Sequence, residues 1–264
     1  MMSQTLRLSD GLTVRALMAG AGAPVVLIHG VGMLAEAWGP QIAALAADHR
    51  VVAVDMPGHG DSDPLSEEAL LPDYVAWAAR VIEALDLGPV SLAGHSMGAL
   101  IIAGLAVERP DLVCRAALLN GVHRRSPEAR DAVLKRAAEI AADAGGIEGP
   151  LARWFTPEDA AVRDQVAGWL RAVSHRGYAA AYRAFAEGDT IYADRLGQIR
   201  CPLLVLTGDG DANSTPAMTE AMAAMAPMGR AAVIAGHRHM VNLTAPAAVT
   251  SELRRWLSTK EGEQ

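Results

Sequence analysis

The 264-residue chain has only two cysteines and few aromatic residues, and these scarcities narrow what kind of protein it can be. Cys114 and Cys201 stand alone in apolar surroundings with no CxxC motif, so the sequence offers neither a disulfide framework nor a cysteine zinc site. Buried reduced thiols fit a cytoplasmic location, which we expect. His237 and His239 form an H-x-H pair, but no matching cysteine or carboxylate cluster accompanies them, so we expect no metal.

Positive charge and long apolar runs are also scarce. The chain has 23 Lys and Arg against 30 Asp and Glu, a formal net charge of −7. This balance argues against nucleic acid or an anionic membrane as a partner. No stretch approaches the roughly 18 apolar residues of a membrane span, and the N-terminus lacks the features of a signal peptide. We expect a small-molecule substrate and a monomer or small homo-oligomer.

Apolar residues are plentiful, at 51% of the chain, which is enough for the core of one large α/β domain. Short apolar runs typical of buried strands alternate with helical patterns. These runs begin near Pro24, Val51, Pro89, Ala116, Leu203 and Ala231. The alternation predicts a mostly parallel central sheet with helices on both faces. The Asp10-Gly11 pair between alternating segments predicts a hairpin before it.

The pattern changes between residues 122 and 194, where we find no convincing buried strand. This segment is rich in alanine and arginine and holds several aromatic residues, and its periodicity is typical of amphipathic helices. We therefore predict a core formed by residues 1–121 and 195–264, with residues 122–194 as an inserted helical lid. We call residues 122–194 the insert segment below.

The pentapeptide Gly94-His95-Ser96-Met97-Gly98 has the form G-x-S-x-G. A strand-like apolar run precedes it and a helix-like apolar run follows it. That context predicts a sharp strand–helix turn that exposes Ser96, with glycines where larger residues would clash. The N-terminus of the following helix favours negative charge that develops at the turn. The alternative is a glycine-rich turn with a bystander serine.

A serine hydroxyl needs a base to take its proton and a carboxylate to orient that base. Asp209 and Asp211 follow one core strand, and His237 and His239 follow the next. All four stand after the carboxyl ends of strands, where open α/β sheets place their sites. The order serine, carboxylate, histidine is that of one known class of serine enzymes.

Together these motifs resemble the α/β-hydrolase superfamily, from about Gly11 to Leu257. The resemblance is carried by the strand–helix turn at Gly94-His95-Ser96-Met97-Gly98, which we call the elbow, and by four further motifs: His29-Gly30-Val31-Gly32, Asp55-x-Pro57-Gly58-His59-Gly60-x-Ser62, Gly208-x-x-Asp211 and His239-x-x-x-Leu243-x-x-Pro246. It implies the α/β-hydrolase fold: a mostly parallel sheet, helices on both faces and an inserted helical lid.

The resemblance also selects between the duplicated residues. The family's acid usually stands three residues after a glycine that ends a strand, which selects Asp211 and leaves Asp209 to cap or orient the loop. The family's histidine usually precedes a proline by seven positions, which selects His239. His237 stays an alternative, because Gly236-His237 forms the Gly-His pair that often marks this histidine.

By the same resemblance, the oxyanion hole uses the backbone N–H groups of Val31 and Met97. We expect His29 to support the loop that carries Val31. We interpret His95 as a packing or supporting residue, and His59 as a residue of turn geometry in preference to substrate contact.

The insert segment supplies the candidate substrate contacts. Trp154 and Tyr178 could line an apolar pocket, although packing between lid and core explains them equally well. Arg124 could bind a substrate carboxylate, although a solvated helix entry is the simpler interpretation. The chain also resembles the 3-oxoadipate enol-lactonase group, at residues 152–157 and Gly177-Tyr178 in the insert segment, at residues 199–202 after it, and at Ser96-Met97-Gly98. His29-Gly30 departs from that group's first loop.

These features predict a serine hydrolase that cleaves a small carboxylic ester or lactone through an acyl-enzyme on Ser96, with no cofactor. One alternative is carbon–carbon bond hydrolysis of a ring-cleavage product by the same residues. A second alternative, from another class, is a non-catalytic ligand-binding protein on this scaffold. The complete set of Ser96, Asp211 and His239 argues against the latter.

Overall fold

A single eight-stranded sheet organises the chain in a computed structural model that describes residues 1–259. The predicted core segment runs to residue 264, and its last five residues lie outside the described part. The strands are β1 (Met2–Arg7), β2 (Thr13–Ala19), β3 (Ala23–Ile28), β4 (His49–Val54), β5 (Val90–His95), β6 (Val113–Leu119), β7 (Leu203–Gly208) and β8 (Gly229–Ile234). Their order across the sheet is β1-β2-β4-β3-β5-β6-β7-β8.

Ten α-helices accompany the sheet over residues 1–259. They are α1 (Gly39–Leu45), α2 (Leu71–Leu85), α3 (Met97–Glu108), α4 (Pro127–Ala141), α5 (Glu148–Trp154), α6 (Ala160–Ala172), α7 (His175–Gly188), α8 (Pro216–Met225), α9 (Val241–Thr244) and α10 (Pro246–Leu257). None of the described helices is long and apolar enough to cross a membrane.

Strand direction divides the sheet into two parts. The hairpin expected around Asp10-Gly11 is present: β1 and β2 are antiparallel and pair from Met2–Met18 to Arg7–Thr13. Strand β2 is also antiparallel to β4, whereas β3 to β8 are all parallel to one another. The mostly parallel sheet predicted from the apolar runs is therefore confirmed. The runs are nearly continuous because parallel strands that are covered on both faces need apolar side chains at nearly every position.

Burial explains why the sequence around the elbow is so apolar. Every residue of β5 is buried, and every residue of α3 except Glu108 is buried as well. Helix α3 lies between the sheet and α2, so it has no polar face to offer to solvent. The chain turn between β5 and α3 is therefore held from several sides.

One helix boundary differs from the prediction. The pattern predicts a helix from about Trp38 to Ala47, but the chain forms a 3-10 turn over Ala35–Trp38 and then α1. Pro40 lies in the first turn of α1, where its missing N–H has no helical partner to lose. The apolar pattern alone does not mark this break.

The insert segment carries helices α4 to α7 between β6 and β7, with no strand among its residues. It packs closely on the core: a Cβ built on Gly177 would lie 2.0 Å from the carbonyl oxygen of Gly58. Its first residues are also tied to its end, because Asp189 is fully buried and pairs with Arg125 and Arg130. Whether this segment moves as a lid stays a prediction.

Candidate active site

Ser96 occupies a strained turn between β5 and α3. Its backbone has φ 55° and ψ −114°, a conformation that non-glycine residues rarely adopt. Its N–H donates to the carbonyl of Leu119 at 2.8 Å, which fixes the turn against β6. The flanking glycines are required by space: a Cβ on Gly94 would lie 2.2 Å from the oxygen of Gly98, and one on Gly98 2.3 Å from that of Ile28. The predicted strand–turn–helix is present.

Asp211 and His239 meet at the carboxyl edge of the sheet. His239 Nδ1 lies 2.8 Å from Asp211 Oδ2, and both side chains are buried. The same Oδ2 accepts a bond from Asn120 Nδ2 at 2.8 Å, and Oδ1 accepts the backbone N–H of Asn213 at 2.8 Å. A carboxylate fixed in this way can hold the imidazole in one orientation with Nε2 free.

Three hydrogen bonds keep this carboxylate ionised. Burial alone would raise the pKa of Asp211, but the nearby His239 and the bonds from His239, Asn120 and Asn213 together lower it below its usual value. The negative charge of Asp211 therefore persists at neutral pH and can stabilise a positive imidazole.

The structure separates the duplicated residues. Asp209 Oδ1 accepts the backbone N–H of Gly236 at 2.8 Å, which is the loop-orienting role expected for it. His237 Nδ1 lies 3.0 Å from Thr244 Oγ1 instead of a carboxylate. The geometry thus brings together Asp211 and His239, the pair selected by family spacing, and places Asp209 and His237 in other contacts.

Two supporting residues lie beside this pair. Asn120, at the end of β6 with φ 50°, holds the carboxylate and was not singled out from the sequence. The available signal was its position: a polar residue directly after a core strand, beside the strand that carries Asp211. His95 Nε2 donates to the backbone carbonyl of His239 at 2.8 Å, so the residue next to Ser96 holds the main chain of His239.

The two backbone N–H groups expected to form the oxyanion hole are free. Over residues 1–259, neither Val31 N–H nor Met97 N–H donates to another protein group. Met97 is the first residue of α3, where N–H groups lack helical partners and carry partial positive charge. Both can stabilise an oxyanion that forms on a carbonyl at Ser96.

A cavity of about 490 Å³ opens above Ser96 and His239. Val31, Trp154 and Tyr178 are among the residues that line it, and a role for the two aromatic residues in substrate binding stays a prediction. The Ser96 hydroxyl makes no hydrogen bond to His239 within the described part of the chain, and such contacts are often loose until substrate binds. The volume suits a small organic molecule.

Four cationic side chains line this cavity, with Glu139 as its only acidic side chain among the described residues. They are Arg125, Lys135, Arg136 and Arg153. Arg136 lies 3.7 Å from Glu139, whereas Lys135 and Arg153 form no ion pair within residues 1–259. The cavity wall is therefore positive, although the chain as a whole is negative.

The choice of Arg124 as a substrate contact is corrected by the structure. Its side chain is 51% exposed, pairs with Asp194 and does not line the cavity. The next residue, Arg125, lines it instead. Arg125 is 4% exposed, pairs with Asp189 at 3.2 Å and stacks 4.4 Å above the Phe185 ring. Its Nη2 is buried without a hydrogen-bond partner.

No group of three or more His, Cys, Asp or Glu side chains that could hold a metal ion occurs in the described part of the chain. The histidines of the H-x-H pair point to different partners, His237 to Thr244 and His239 to Asp211.

The fold and this site define an α/β hydrolase. The chain belongs to the alpha/beta hydrolase family, whose sequence model matches residues 25–252. It is 51% identical over 261 residues to (E)-2-((N-methylformamido)methylene)succinate hydrolase of Acinetobacter baylyi, with 98% of this chain and 99% of that protein covered.

Solved structures agree on the fold. An esterase from Thermogutta terrifontis with malate bound matches with a TM-score of 0.88 and 26% identity, over 97% of this chain and 98% of that one. The enol-lactonase from Burkholderia xenovorans matches with a TM-score of 0.85 and 23% identity, over 97% of this chain and 100% of that one. At that identity the second match shows a shared fold alone.

Proposed function

We propose that this chain hydrolyses a small, open-chain dicarboxylate of the kind that ring cleavage produces. The observation that carries the proposal is the cavity, in which Ser96 and His239 face a wall with four cations. Two carboxylates on one small molecule would match such a wall, because guanidinium and ammonium groups bind carboxylates through charge-assisted hydrogen bonds.

The 51% identical relative supports the same substrate class. Its name describes a succinate joined through a methylene group to the nitrogen of N-methylformamide. Such a molecule has two carboxylates and an N-formyl group, and it has no ester or lactone. The comparison therefore favours the alternative interpretation, carbon–carbon bond hydrolysis of a ring-cleavage product, over the ester or lactone interpretation as to the class of substrate, and the bond that breaks is tested separately.

The proposed chemistry uses the residues described above. Ser96 Oγ attacks the substrate carbonyl while His239 takes its proton, and Asp211 stabilises the resulting imidazolium. The N–H groups of Val31 and Met97 stabilise the tetrahedral oxyanion. The leaving group then takes the proton from His239, and water releases the acyl group from Ser96 in the same way.

The bond that breaks can be determined from the products. Attack at the N-formyl carbonyl would release formate, whereas the carbon–carbon alternative would leave the formyl group on nitrogen. We would incubate the enzyme with (E)-2-((N-methylformamido)methylene)succinate and follow formate and the organic product by proton NMR. Ser96→Ala should form no product while it melts like the parent.

Substrate class is tested by comparing this dicarboxylate with p-nitrophenyl acetate and a simple lactone. We expect kcat/KM for the dicarboxylate to exceed the ester value by at least about 100-fold, equivalent to about 2.7 kcal/mol of transition-state binding. Faster hydrolysis of the ester or the lactone would favour the ester or lactone interpretation. That interpretation is the second candidate function, because an esterase matches this chain at 26% identity.

A matched pair of variants tests the positive wall. Arg153 lines the cavity and has no ion pair within the described chain, so Arg153→Gln should raise KM for the dicarboxylate by about tenfold. Arg171 is 64% exposed and does not line the cavity, so Arg171→Gln should leave KM unchanged. Equal effects of the two variants would contradict the proposed binding role.

A further inference from the structure

Two histidines outside the predicted catalytic set of Ser96, Asp211 and His239 hold the loop that carries Val31. His29 and His59 are both fully buried, and their ring centroids lie 5.3 Å apart. His29 comes directly after β3, and His59 lies in the loop between β4 and α2. Neither imidazole lines the cavity, so neither is placed to contact substrate.

His29 fixes the peptide that contains Val31 N–H. Its Nδ1 lies 2.7 Å from the carbonyl oxygen of Gly30, which also accepts Met33 N–H at 3.1 Å. All peptide bonds in the described chain are trans, so the Gly30 oxygen and Val31 N–H point in opposite directions. Holding this oxygen against His29 therefore fixes Val31 N–H on the opposite side of the same peptide, in a residue that lines the cavity.

His59 fixes the next peptide. The N–H of Gly32 donates to His59 Nε2 at 2.9 Å. Gly32 has φ 80°, and a Cβ there would lie 2.5 Å from Leu170 Cδ2, so this turn suits glycine in both conformation and space. The two peptides on either side of the Val31 side chain are thus each bonded to an imidazole.

The hydrogen bonds also fix the protonation state of both rings. Met56 N–H donates to His29 Nε2 at 2.9 Å, so each Nε2 accepts a backbone N–H and must lack a proton. Each Nδ1 then donates, from His29 to Gly30 and from His59 to the carbonyl of Pro57 at 3.0 Å. A proton on either Nε2 would point at the backbone N–H of Met56 or Gly32, so two donors would face each other with no acceptor between them.

Burial supports the same neutral state. It lowers the pKa of His29 to about 4 and the pKa of His59 to about 3.

We propose that His29 and His59 are positioning residues of the oxyanion hole: as neutral Nδ1–H imidazoles they aim Val31 N–H at the carbonyl oxygen of a substrate on Ser96. The inference rests on the proposed role of Ser96 as nucleophile. It gives the His-Gly and Pro-Gly-His-Gly motifs one shared purpose, because each supplies one imidazole to the same loop.

The test compares two replacements of His59 that differ in one property. Gln places Oε1 near the position of Nε2 and can still accept Gly32 N–H, whereas Leu has a similar volume and no acceptor. The readout is the rate at which a fluorophosphonate labels Ser96, followed by intact-protein mass across a pH series. This reaction places an oxygen in the oxyanion hole and needs no knowledge of the natural substrate.

We expect His59→Leu to slow labelling by about 10- to 100-fold without moving the pH midpoint, since loss of one oxyanion donor costs about 100- to 1,000-fold. His59→Gln should restore most of the rate. His49→Leu, at the half-buried start of β4, should label like the parent. Parent-like labelling of His59→Leu, or equal slowing by Leu and Gln, would overturn the proposal.

A second measurement, on the parent protein, tests the proposal even if the His59→Leu variant does not fold. Nitrogen-15 NMR of the parent should show both His29 and His59 as neutral Nδ1–H tautomers at pH 6. An Nε2–H tautomer or a charged ring at either position would overturn the proposal. Absence of labelling in the folded parent would instead contradict the proposed function of Ser96, and the NMR result would still decide the tautomers.

Discussion

The indole of Trp154 stacks on the imidazole of His239, with ring centroids 5.5 Å apart and 29° between their planes. Trp154 ends α5 in the insert segment, and His239 belongs to the core, so this contact joins the predicted lid to the predicted base. Arg238 strengthens the junction, because its Nη1 donates to the carbonyl of Phe155 at 2.7 Å. Any motion of α5 would therefore change the surroundings of His239.

Trp154→Ala should change which substrates are preferred while the reaction at Ser96 survives. Trp154 lines the cavity and stacks on His239, so its removal would enlarge the space beside that imidazole. We expect a changed order of kcat/KM across a series of acyl groups, with Ser96 still labelled by a fluorophosphonate. Trp154→Phe keeps a ring against His239 and serves as the matched control. An unchanged order in the Ala variant would leave Trp154 as a packing residue.

Asp211→Asn should cripple turnover, and Asp209→Asn should not. Asp211→Asn removes the negative charge that would stabilise an imidazolium at His239. The equivalent change in a serine protease lowers turnover by about 10⁴-fold. Asn at position 209 keeps an oxygen that can accept Gly236 N–H, so we expect less than about a threefold effect. Kinetics and thermal melting of the two variants, measured together, decide the assignment. Greater damage from Asp209→Asn would contradict it.

The two histidines offer an independent comparison. His239→Gln should remove turnover, because Gln cannot take and return the Ser96 proton. His237→Gln should retain activity within a few fold, because the side chain of His237 lies beside Thr244 and away from Asp211. Rates for both variants should be measured on one accepted substrate. Strong loss in His237→Gln alone would restore His237 as the base.

Local patterns in the sequence were enough for the elbow. Gly94 and Gly98 surround Ser96 because neighbouring backbone atoms leave no room for a Cβ, and that requirement is written directly into G-x-S-x-G. Asp211 and His239 were selected by spacing to a glycine and a proline. These signals survive in the sequence because each depends on residues within eight positions of one another.

Long-range contacts were not predictable in this way. Asn120 reaches Asp211 across 91 positions, so no local spacing connects them. The prediction that Arg124 contacts the substrate failed for a local reason that the sequence does not show either. The backbone of Arg124 has φ 45°, which turns the chain at this residue. Arg124 then faces Asp194 at the surface, while Arg125 faces the cavity and Asp189. Adjacent arginines in a sequence do not reveal such a turn.

The buried histidines should make the protein less stable as the pH falls below about 6.5. Burial lowers the pKa of His29 to about 4 and those of His59 and His95 to about 3, from an ordinary value of 6.5. Between these values the unfolded chain binds protons that the folded chain does not. Their contribution to stability is therefore full above pH 6.5 and is lost progressively as the pH falls toward 4.

Urea unfolding at several pH values from 7.5 to 5.0 measures this effect. Each such histidine contributes a slope of at most about 1.4 kcal/mol per pH unit within the window. We expect the free energy of unfolding to fall across it, and the slope to decrease in His95→Gln, which has one fewer histidine to titrate. A free energy that stays constant from pH 7.5 to 5.0 would contradict neutral burial of these side chains.

Arg125→Gln and Arg124→Gln should separate the cavity-lining arginine from its exposed neighbour. Arg125 lines the cavity, so its loss should raise KM for a dicarboxylate by about tenfold. KM for p-nitrophenyl acetate should change little, because that ester carries no carboxylate. Arg124→Gln should leave both values unchanged, since its side chain is 51% exposed and pairs with Asp194.

Stability must be measured beside these kinetics. Arg125→Gln also removes one partner of the buried Asp189, which keeps its bond to Arg130, so we expect a loss of about 1–3 kcal/mol in unfolding free energy. The neutral ester distinguishes this loss from a binding effect, because a damaged fold would weaken turnover of both substrates together. Equal changes in KM for the dicarboxylate and the ester would contradict recognition of a carboxylate by Arg125.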